Sequence, residues 1–372
     1  MAKSIGIRER APRFQPVDLA GVPHVNALLS RLNLGTFDPH TVTSPRGRND
    51  NWAGTTENGA HVFVKQFGTA TDTTRSARMH RTQLVWEAGR DRLATPEVLG
   101  CDVDNGLVAF AYLEDAENGA ELLADDAFDE TLAEQAGALV ARLHGLDPTG
   151  FDTDEHPLPP LGLLAALPLQ RYANASFAEL EMWRLLHADT ALIEALHTLR
   201  AADRAGTAAA RCPVHGDLRV DQFLRAGDRL FLTDFEETRL GDPARDVGAF
   251  AGEWLYQAAT RIPGALAEAS PVGHTVTHEE IVSTGAVEVE RCAPLVRAFY
   301  RAYLAAAPEA VRADTALASR AAAYAGWHML DRMLAAAQSS ARLSPINKAA
   351  AGIGRTVLLS PAEFTTTLGL EA

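Results

Sequence analysis

One stretch, Arg211–Asp246, constrains what this chain can fold into and do more than any other part of it. It reads RCPVHGDLRVDQFLRAGDRLFLTDFEETRLGDPARD and places carboxylates at three separate points. Asp217 ends HGD, Asp234 follows a short strand-like run, and Asp246 ends GDPARD. Carboxylates at this spacing suit metal-dependent phosphoryl transfer, which relies on acidic residues to hold metal ions and to orient the attacking hydroxyl.

The spacing inside this stretch matches the catalytic loop of kinases. In H-R-D-x-x-x-x-N loops the Asp accepts the proton of the substrate hydroxyl, and the later Asn and the Asp of a D-F-x turn hold Mg²⁺. Gln222 occupies the Asn position here, and Asp234 opens D-F-E. Gln keeps the amide oxygen on a side chain one methylene longer, so metal ligation stays possible. The pattern predicts Asp217 as the catalytic residue and Gln222 with Asp234 as metal ligands.

HGDLRVDQFL followed by LTDFEETRLGDPARD resembles the aminoglycoside phosphotransferase family, also called the choline/aminoglycoside kinase-like family. In that family HGD replaces HRD, and DxE or DxD replaces DFG. The usual Asn is Gln222 here, a change that maltokinase-like relatives share. The resemblance implies a structural, hydrogen-bonding role for His215, and it implies that Asp246 fixes the HGD loop. Expected cofactors are ATP and Mg²⁺.

Residues N-terminal to this stretch would hold the nucleotide. The alternating run from His61 to Phe67 predicts a strand, and Lys65 on it resembles the phosphate-gripping Lys of a kinase third strand. The turn before it would cover the phosphates with backbone N–H groups. The expected contact residues in that turn are Ser44, Gly47 and Asn49.

Two further nucleotide contacts follow from the resemblance. Glu87, within a helix-forming segment, is the candidate carboxylate that pairs with Lys65; the alternative is a solvated Glu at helical spacing to Arg90. The apolar run LVAFAYL predicts the strand before a hinge whose backbone, at Ala111 and Leu113, would read the adenine edge.

The implied architecture is an α+β, protein-kinase-like fold with two lobes. The N-terminal lobe would span residues 1–110, the hinge 111–115, and the helical C-terminal lobe, with the catalytic loop and acceptor site, 116–372. Residues 263–285 are interpreted as a low-order insertion, and the tail from Leu343 as a mixed segment on the surface.

Composition narrows the class of partner. The net charge of −14 argues against a nucleic-acid binder, which normally carries a basic face. Three scattered cysteines, an N-terminus without an apolar core and no apolar run of transmembrane length predict a cytoplasmic protein without a membrane partner.

The acceptor stays open between two classes. The GRNDNWAGTT hairpin and the RVDQ loop favour the phosphotransferase-like proteins of class V lanthipeptide and thioamitide biosynthesis, which would phosphorylate Ser/Thr of a precursor peptide for a partner lyase. A small-molecule kinase acting on a sugar or an aminoglycoside is the first alternative. The second alternative is a pseudokinase scaffold that binds nucleotide or peptide, for which Gln222 is the one sequence indication.

Overall fold

The computed structural model describes residues 19–44, 49–68, 72–205, 211–271 and 273–371. The chain divides into two compact units. The first runs to Trp86 and includes Thr95–Asp115, and the second comprises Glu87–Ala94 and everything from Ala116 onward. The mixed helix and sheet content confirms the α+β class.

The first unit is built on a four-stranded antiparallel sheet in the order β1-β2-β4-β3. Its helices and strands are α1 (Pro23–Arg31), β1 (Asp50–Thr55), β2 (His61–Gln66), α2 (Arg75–Gly89, whose last residues belong to the second unit), β3 (Val98–Asp102) and β4 (Leu107–Ala111).

The alternation of β2 divides its side chains between the two faces of this sheet. Val62 and Val64 are fully buried and pack with the apolar face of α1, where Leu28 and Leu29 meet Trp52 of β1. A second cluster forms where Met79 of α2 packs with Phe67 and Val108. Because side chains alternate along a strand, Lys65 points to the face opposite Val64.

The second unit is mainly helical and has two small antiparallel sheets, β5-β7-β8 and β6-β9. Its elements are β5 (Glu117–Asn118), α3 (Gly119–Ala124), α4 (Glu130–His144), α5 (Leu161–Ala165), α6 (Leu169–Asn174), α7 (Phe177–His187), α8 (Thr190–Ala205), β6 (Cys212–Val214), β7 (Phe223–Ala226), β8 (Arg229–Leu232), β9 (Arg239–Gly241), α9 (Ala244–Ala269), α10 (His278–Ala306), α11 (Glu309–Arg312), α12 (Leu317–Ser339) and α13 (Pro345–Leu359).

The C-terminal tail is not the mixed surface segment that the sequence predicted. It forms α13, which packs against α12 at a point where two glycines meet. A Cβ on Gly326 would lie 2.5 Å from the carbonyl oxygen of Gly354, and a Cβ on Gly354 would lie 2.4 Å from Met329. Only glycine allows the two backbones to approach this closely.

The predicted low-order insertion is also largely helical. The helix α9 continues through Pro263 to Ala269, and α10 begins at His278. Thr277 caps α10 by accepting a hydrogen bond from Glu280 N, while the Glu280 side chain accepts one from Thr277 N. This capping box starts the helix inside the segment that was expected to be irregular. In the part of the chain that the structure describes, no helix is long and apolar enough to cross a membrane.

Candidate active site

The HGD loop is positioned by a two-stranded sheet. β6 ends at Val214 and pairs with β9, Val214 lying opposite Arg239. In this pairing Cys212 lies opposite Gly241, the first residue of GDPARD, and His215 follows three residues later, directly after β6. HGD and GDPARD are distant in sequence and adjacent in the fold for this reason.

Asp246, in the first turn of α9, holds the HGD loop by its backbone. Its carboxylate is fully buried and accepts hydrogen bonds from His215 N (2.6 Å) and Gly216 N (3.0 Å). It also bonds His144 Nε2 (2.9 Å), while His144 Nδ1 lies 2.8 Å from the Tyr303 hydroxyl. Burial alone would raise the pKa of this carboxyl, but the His144 hydrogen bond and the His215 contacts outweigh it and lower the pKa. Asp246 is therefore ionised at neutral pH, and it fixes the loop that presents Asp217.

His215 has a structural environment. Its ring is fully buried, its Nε2 lies 2.8 Å from the carbonyl oxygen of Thr233, and it packs beside the Phe235 ring. A carbonyl can only accept, so Nε2 carries the proton and donates it. The ring thus connects the HGD loop to the residue before Asp234.

Gly216 turns the chain between His215 and Asp217. Its φ is +84°, and a Cβ there would lie 2.8 Å from the carbonyl oxygen of Glu237 and 3.2 Å from His156 Nε2. A residue with a side chain would be strained by both the conformation and the contact. The glycine of HGD is a geometric requirement of this loop.

Asp217 is partly exposed and forms an ion pair with Arg219. The distance from Arg219 Nη1 to Asp217 Oδ2 is 2.8 Å, and the same guanidinium bonds both carboxylate oxygens of Asp221. Burial would lower the pKa of Arg219, but the charges of Asp217, Asp221 and Asp234 raise it. Arg219 is thus a permanent cation among three carboxylates. The sequence interpretation missed it; the signal was a basic residue two positions after the Asp predicted to be catalytic.

The β7–β8 hairpin brings the two predicted metal ligands to one end of a sheet. Phe223 pairs with Leu232, so Gln222 and Asp234 flank the same end of the hairpin. Thr233 N and Thr233 Oγ1 both donate to the backbone oxygen of Gln222, at 3.0 and 2.9 Å. Asp234 itself has φ +70° and ψ +50°, a left-handed conformation that is uncommon for a residue other than glycine. Such outliers concentrate at functional sites.

The side-chain amide of Gln222 is almost fully buried and fits a ligand role. Its Oε1 accepts a hydrogen bond from Arg219 N at 3.0 Å, which leaves a second lone pair on the same oxygen. Its Nε2 is buried and has no hydrogen-bond partner among the described residues. Mg²⁺ typically takes one or two protein oxygens together with phosphate oxygens and water, so one carboxylate and one amide suffice. Within the described ranges, no cluster of three or more His, Cys, Asp or Glu side chains forms a complete metal cage.

The predicted nucleotide contacts lie mostly in the first unit. Lys65 is on β2, with its Nζ 4.8 Å from the centre of the Phe67 ring. Ser44 Oγ donates to the backbone oxygen of Asn51 (2.8 Å), and Asn49 Oδ1 accepts from Gly68 N (3.4 Å). Gly47 lies outside the described residues.

Glu87 and the hinge residues complete this set. Glu87 is an exposed residue of α2 and belongs to the second unit, so its pairing with Lys65 stays a prediction. Ala111 ends β4 and its N–H donates to the carbonyl oxygen of Glu97 at 2.9 Å. Tyr112 N donates to His61 O at 3.2 Å. The N–H groups of Ala111 and Tyr112 are thus both used within the first unit, and Leu113 is the next residue along the chain.

Comparison with known proteins identifies the class. The chain is similar to the choline kinase LicA from Streptococcus pneumoniae, with a TM-score of 0.52 and 15% identity over 91% of this chain and 98% of that one. It is also similar to a choline/ethanolamine kinase family protein from Mesorhizobium loti, with a TM-score of 0.53 and 15% identity over 94% of this chain and 99% of that one. A third solved structure, the amicoumacin kinase hAmiN in complex with AMP-PNP, Ca²⁺ and Ami, gives a TM-score of 0.52 and 15% identity over 93% and 94%. These similarities show the protein-kinase-like fold.

The family follows from the sequence itself. Residues 42–281 match the model of the phosphotransferase enzyme family, APH. The chain therefore belongs to this family and is a kinase, as the HGD and DFE motifs predicted. A search of curated proteins finds no match.

Proposed function

We propose that this protein transfers the γ-phosphoryl group of ATP, with Mg²⁺, to a hydroxyl group of a small molecule. The observation that carries the proposal is the HGD loop. Asp246 holds its backbone through two hydrogen bonds, from His215 N and Gly216 N, and Asp217 stands partly exposed at its end, next to the hairpin that presents Gln222 and Asp234.

Asp217 would act on the acceptor. Its carboxylate orients the hydroxyl and takes its proton as the new oxygen–phosphorus bond forms and the bond to the leaving diphosphate breaks. Arg219, 2.8 Å from this carboxylate, forms an ion pair with it and supplies a positive charge where negative charge accumulates on the transferred group. These two residues form the catalytic pair of the proposal.

Gln222 Oε1 and the Asp234 carboxylate would hold the metal ion, which neutralises charge on the nucleotide phosphates when it is bound. Lys65, paired with Glu87, would bind the phosphates, and Ser44 and Asn49 would lie over them. The N–H groups of Ala111 and Tyr112 already donate to Glu97 and His61. An adenine contact through an N–H of the hinge would therefore fall to Leu113, with a carbonyl contact from Ala111.

A small-molecule acceptor is the better supported of the two acceptor classes. The similar solved structures are named as a choline kinase and an amicoumacin kinase, each for a small molecule. The precursor peptide and the partner lyase that the sequence interpretation favoured have no support from these comparisons. The peptide thus becomes the second arm of the test.

The test is transfer of label from γ-labelled ATP in Mg²⁺ buffer to two acceptor pools. One pool contains sugars, amino alcohols, hydroxy acids and aminoglycosides, and the other contains Ser/Thr-rich peptides encoded near the gene. The proposal expects label on a small molecule, lost with Asp217→Asn and retained with Asp228→Asn, a matched change at an exposed turn of the same unit.

If label appears only on a peptide, the small-molecule acceptor is wrong and the precursor peptide is the acceptor. Nucleotide binding without transfer in either pool would contradict the proposed activity and favour the pseudokinase scaffold.

A further inference from the structure

The second unit contains a cavity of about 740 Å³ outside the metal-ligand hairpin. A Pro-rich segment between α4 and α6 forms one wall, and residues of α7, α8 and α12 form the others. Its apolar lining includes Leu158, Leu161, Leu163 and Leu334. The volume lies within the range of small-molecule sites, which extends from ~300 to ~1,000 Å³.

The cavity shares a segment of chain with the catalytic loop. Glu155 and Pro157 line it, and between them His156 packs against the backbone of Gly216. The backbone of this segment is also fixed from the loop side, since Arg239 Nη1 donates to the carbonyl oxygen of Glu155 at 3.0 Å. A molecule in the cavity therefore contacts the segment that abuts the residue before Asp217.

The charged lining of the cavity is basic. Three arginines, Arg171, Arg200 and Arg204, face one acidic residue, Glu155. Glu155 forms ion pairs with Arg200 and Arg204, and Arg171 has no charged partner in the described ranges. The whole chain carries a net charge of −14, so the charge of the cavity lining is opposite in sign to that of the protein.

Two buried donors in the lining lack an acceptor. Trp183 is 3% exposed, and its Nε1 has no hydrogen-bond partner among the described residues. Arg200 is 8% exposed and bonds Glu155 and the carbonyl oxygen of Pro159, but its Nε is likewise without a partner there. Both donors belong to residues that line the cavity, and buried donors are normally satisfied.

We infer that this cavity binds the acceptor, and that the acceptor is a hydroxyl compound with an apolar body and an acidic group, a carboxylate or a phosphate. Arginine binds either oxyanion through paired hydrogen bonds, and the leucines and prolines cover the apolar body. A polycationic acceptor such as an aminoglycoside would meet unfavourable charge in this cavity. The identification of the bound compound as the phosphoryl acceptor rests on the proposed kinase activity. Binding of an anion in the cavity can be tested without catalysis.

The binding experiment uses one carbon skeleton in three charge states. The probes are 3-phenyllactate, 3-phenylpropane-1,2-diol and phenylalaninol, titrated calorimetrically into the full chain without nucleotide. The inference expects the acid to bind at least tenfold more tightly than the diol, and the amine to bind most weakly. Added salt should narrow the difference, because screening weakens the attraction.

Two variants and one control locate the site. Arg171→Gln and Arg204→Gln change exposed side chains and should each weaken binding of the acid about tenfold, with binding of the diol unchanged. Arg312→Gln removes the same charge from an exposed position of α11 and should change nothing. Amine binding equal to or tighter than acid binding, or equal effects of all three variants, would overturn the inference.

The kinetic arm separates this inference from the proposed function. Asp217→Asn should abolish transfer from ATP and leave acid binding intact. Transfer confined to cationic or neutral acceptors would refute the cavity inference and keep the kinase. Acid binding that depends on Arg171 and Arg204 without transfer to any acceptor would keep the anion site and refute the proposed function.

Discussion

Replacing Asp246 by Asn tests how the catalytic loop is held. The carboxylate accepts hydrogen bonds from His215 N, Gly216 N and His144 Nε2 at 2.6, 3.0 and 2.9 Å, in full burial. An Asn can offer its oxygen to the first and third of these donors, but its NH₂ group then faces Gly216 N. The hydrogen bond from Gly216 N is lost, and this N–H then faces the NH₂ group of the Asn. The two remaining hydrogen bonds are made to an uncharged amide oxygen.

Hydrogen bonds to a charged group contribute about 1.5–3 kcal/mol each, so the variant should lose about 2–4 kcal/mol of its free energy of unfolding. At roughly 2–4 °C per kcal/mol, the melting temperature should fall by about 4–16 °C. The loop should also lose its fixed position, and kcat should fall on the order of tenfold or more, since small misplacements of catalytic groups are costly.

The assay combines urea unfolding with steady-state kinetics on the acceptor found in the transfer screen. Asp228→Asn, the same chemical change at an exposed turn, serves as the control and should match the wild type in both measurements. An Asp246→Asn variant with wild-type stability and wild-type kcat would refute the claim that this carboxylate fixes the loop.

Three further outcomes follow from the same geometry. Buried Glu253 forms a hydrogen bond with His328 (3.0 Å), and this contact lowers the pKa of Glu253 from 4.5 to about 2 despite its burial. The stability that the ionised carboxylate contributes is present above about pH 4.5 and is lost as the pH falls towards 2. Glu253→Gln should therefore flatten that part of a curve of unfolding free energy against pH. Gly216→Ala should cost about 1–3 kcal/mol and lower kcat, measured by thermal unfolding and turnover, because φ is +84° and the new Cβ would lie 2.8 Å from a carbonyl oxygen. Gln222→Leu should raise the Mg²⁺ concentration for half-maximal activity about tenfold while unfolding changes by only about 1 kcal/mol, the value of its bond to Arg219 N; an unchanged Mg²⁺ requirement would exclude Gln222 as a ligand.

The fold of the stretch with HGD and DFE was predictable because its information is local. HGD, the glutamine, the hairpin and DFE lie within one segment, and the turn between β7 and β8 requires that Gln222 and Asp234 meet at one end. The strand at Lys65 was predictable for the same reason, since alternation places Val62 and Val64 on one face. Both predictions depended only on residues close together in sequence, through motif spacing and strand alternation.

What the sequence did not reveal depends on contacts between distant residues. The packing of α13 depends on Gly326 meeting Gly354, and neither glycine carries a local signal for that approach. Asp242 illustrates the same limit, because it bonds Arg320 through both carboxylate oxygens across the fold. The arginine-lined cavity likewise combines residues of several helices.

Arg219 shows a different limit. Its position beside Asp217 is evident in the sequence, but a side chain of this length could face solvent or any of several carboxylates. The structure directs it to Asp217 and Asp221. Only the folded geometry selects among these partners.

The most direct measurement compares transfer and nucleotide binding in two variants. Asp217→Asn should lose about a thousandfold or more in kcat with the Kd for Mg·ATP unchanged, because the residue acts on the acceptor. Asp234→Asn should weaken Mg·ATP binding itself. Wild-type turnover in Asp217→Asn, or unchanged Mg·ATP binding and turnover in Asp234→Asn, would contradict the account.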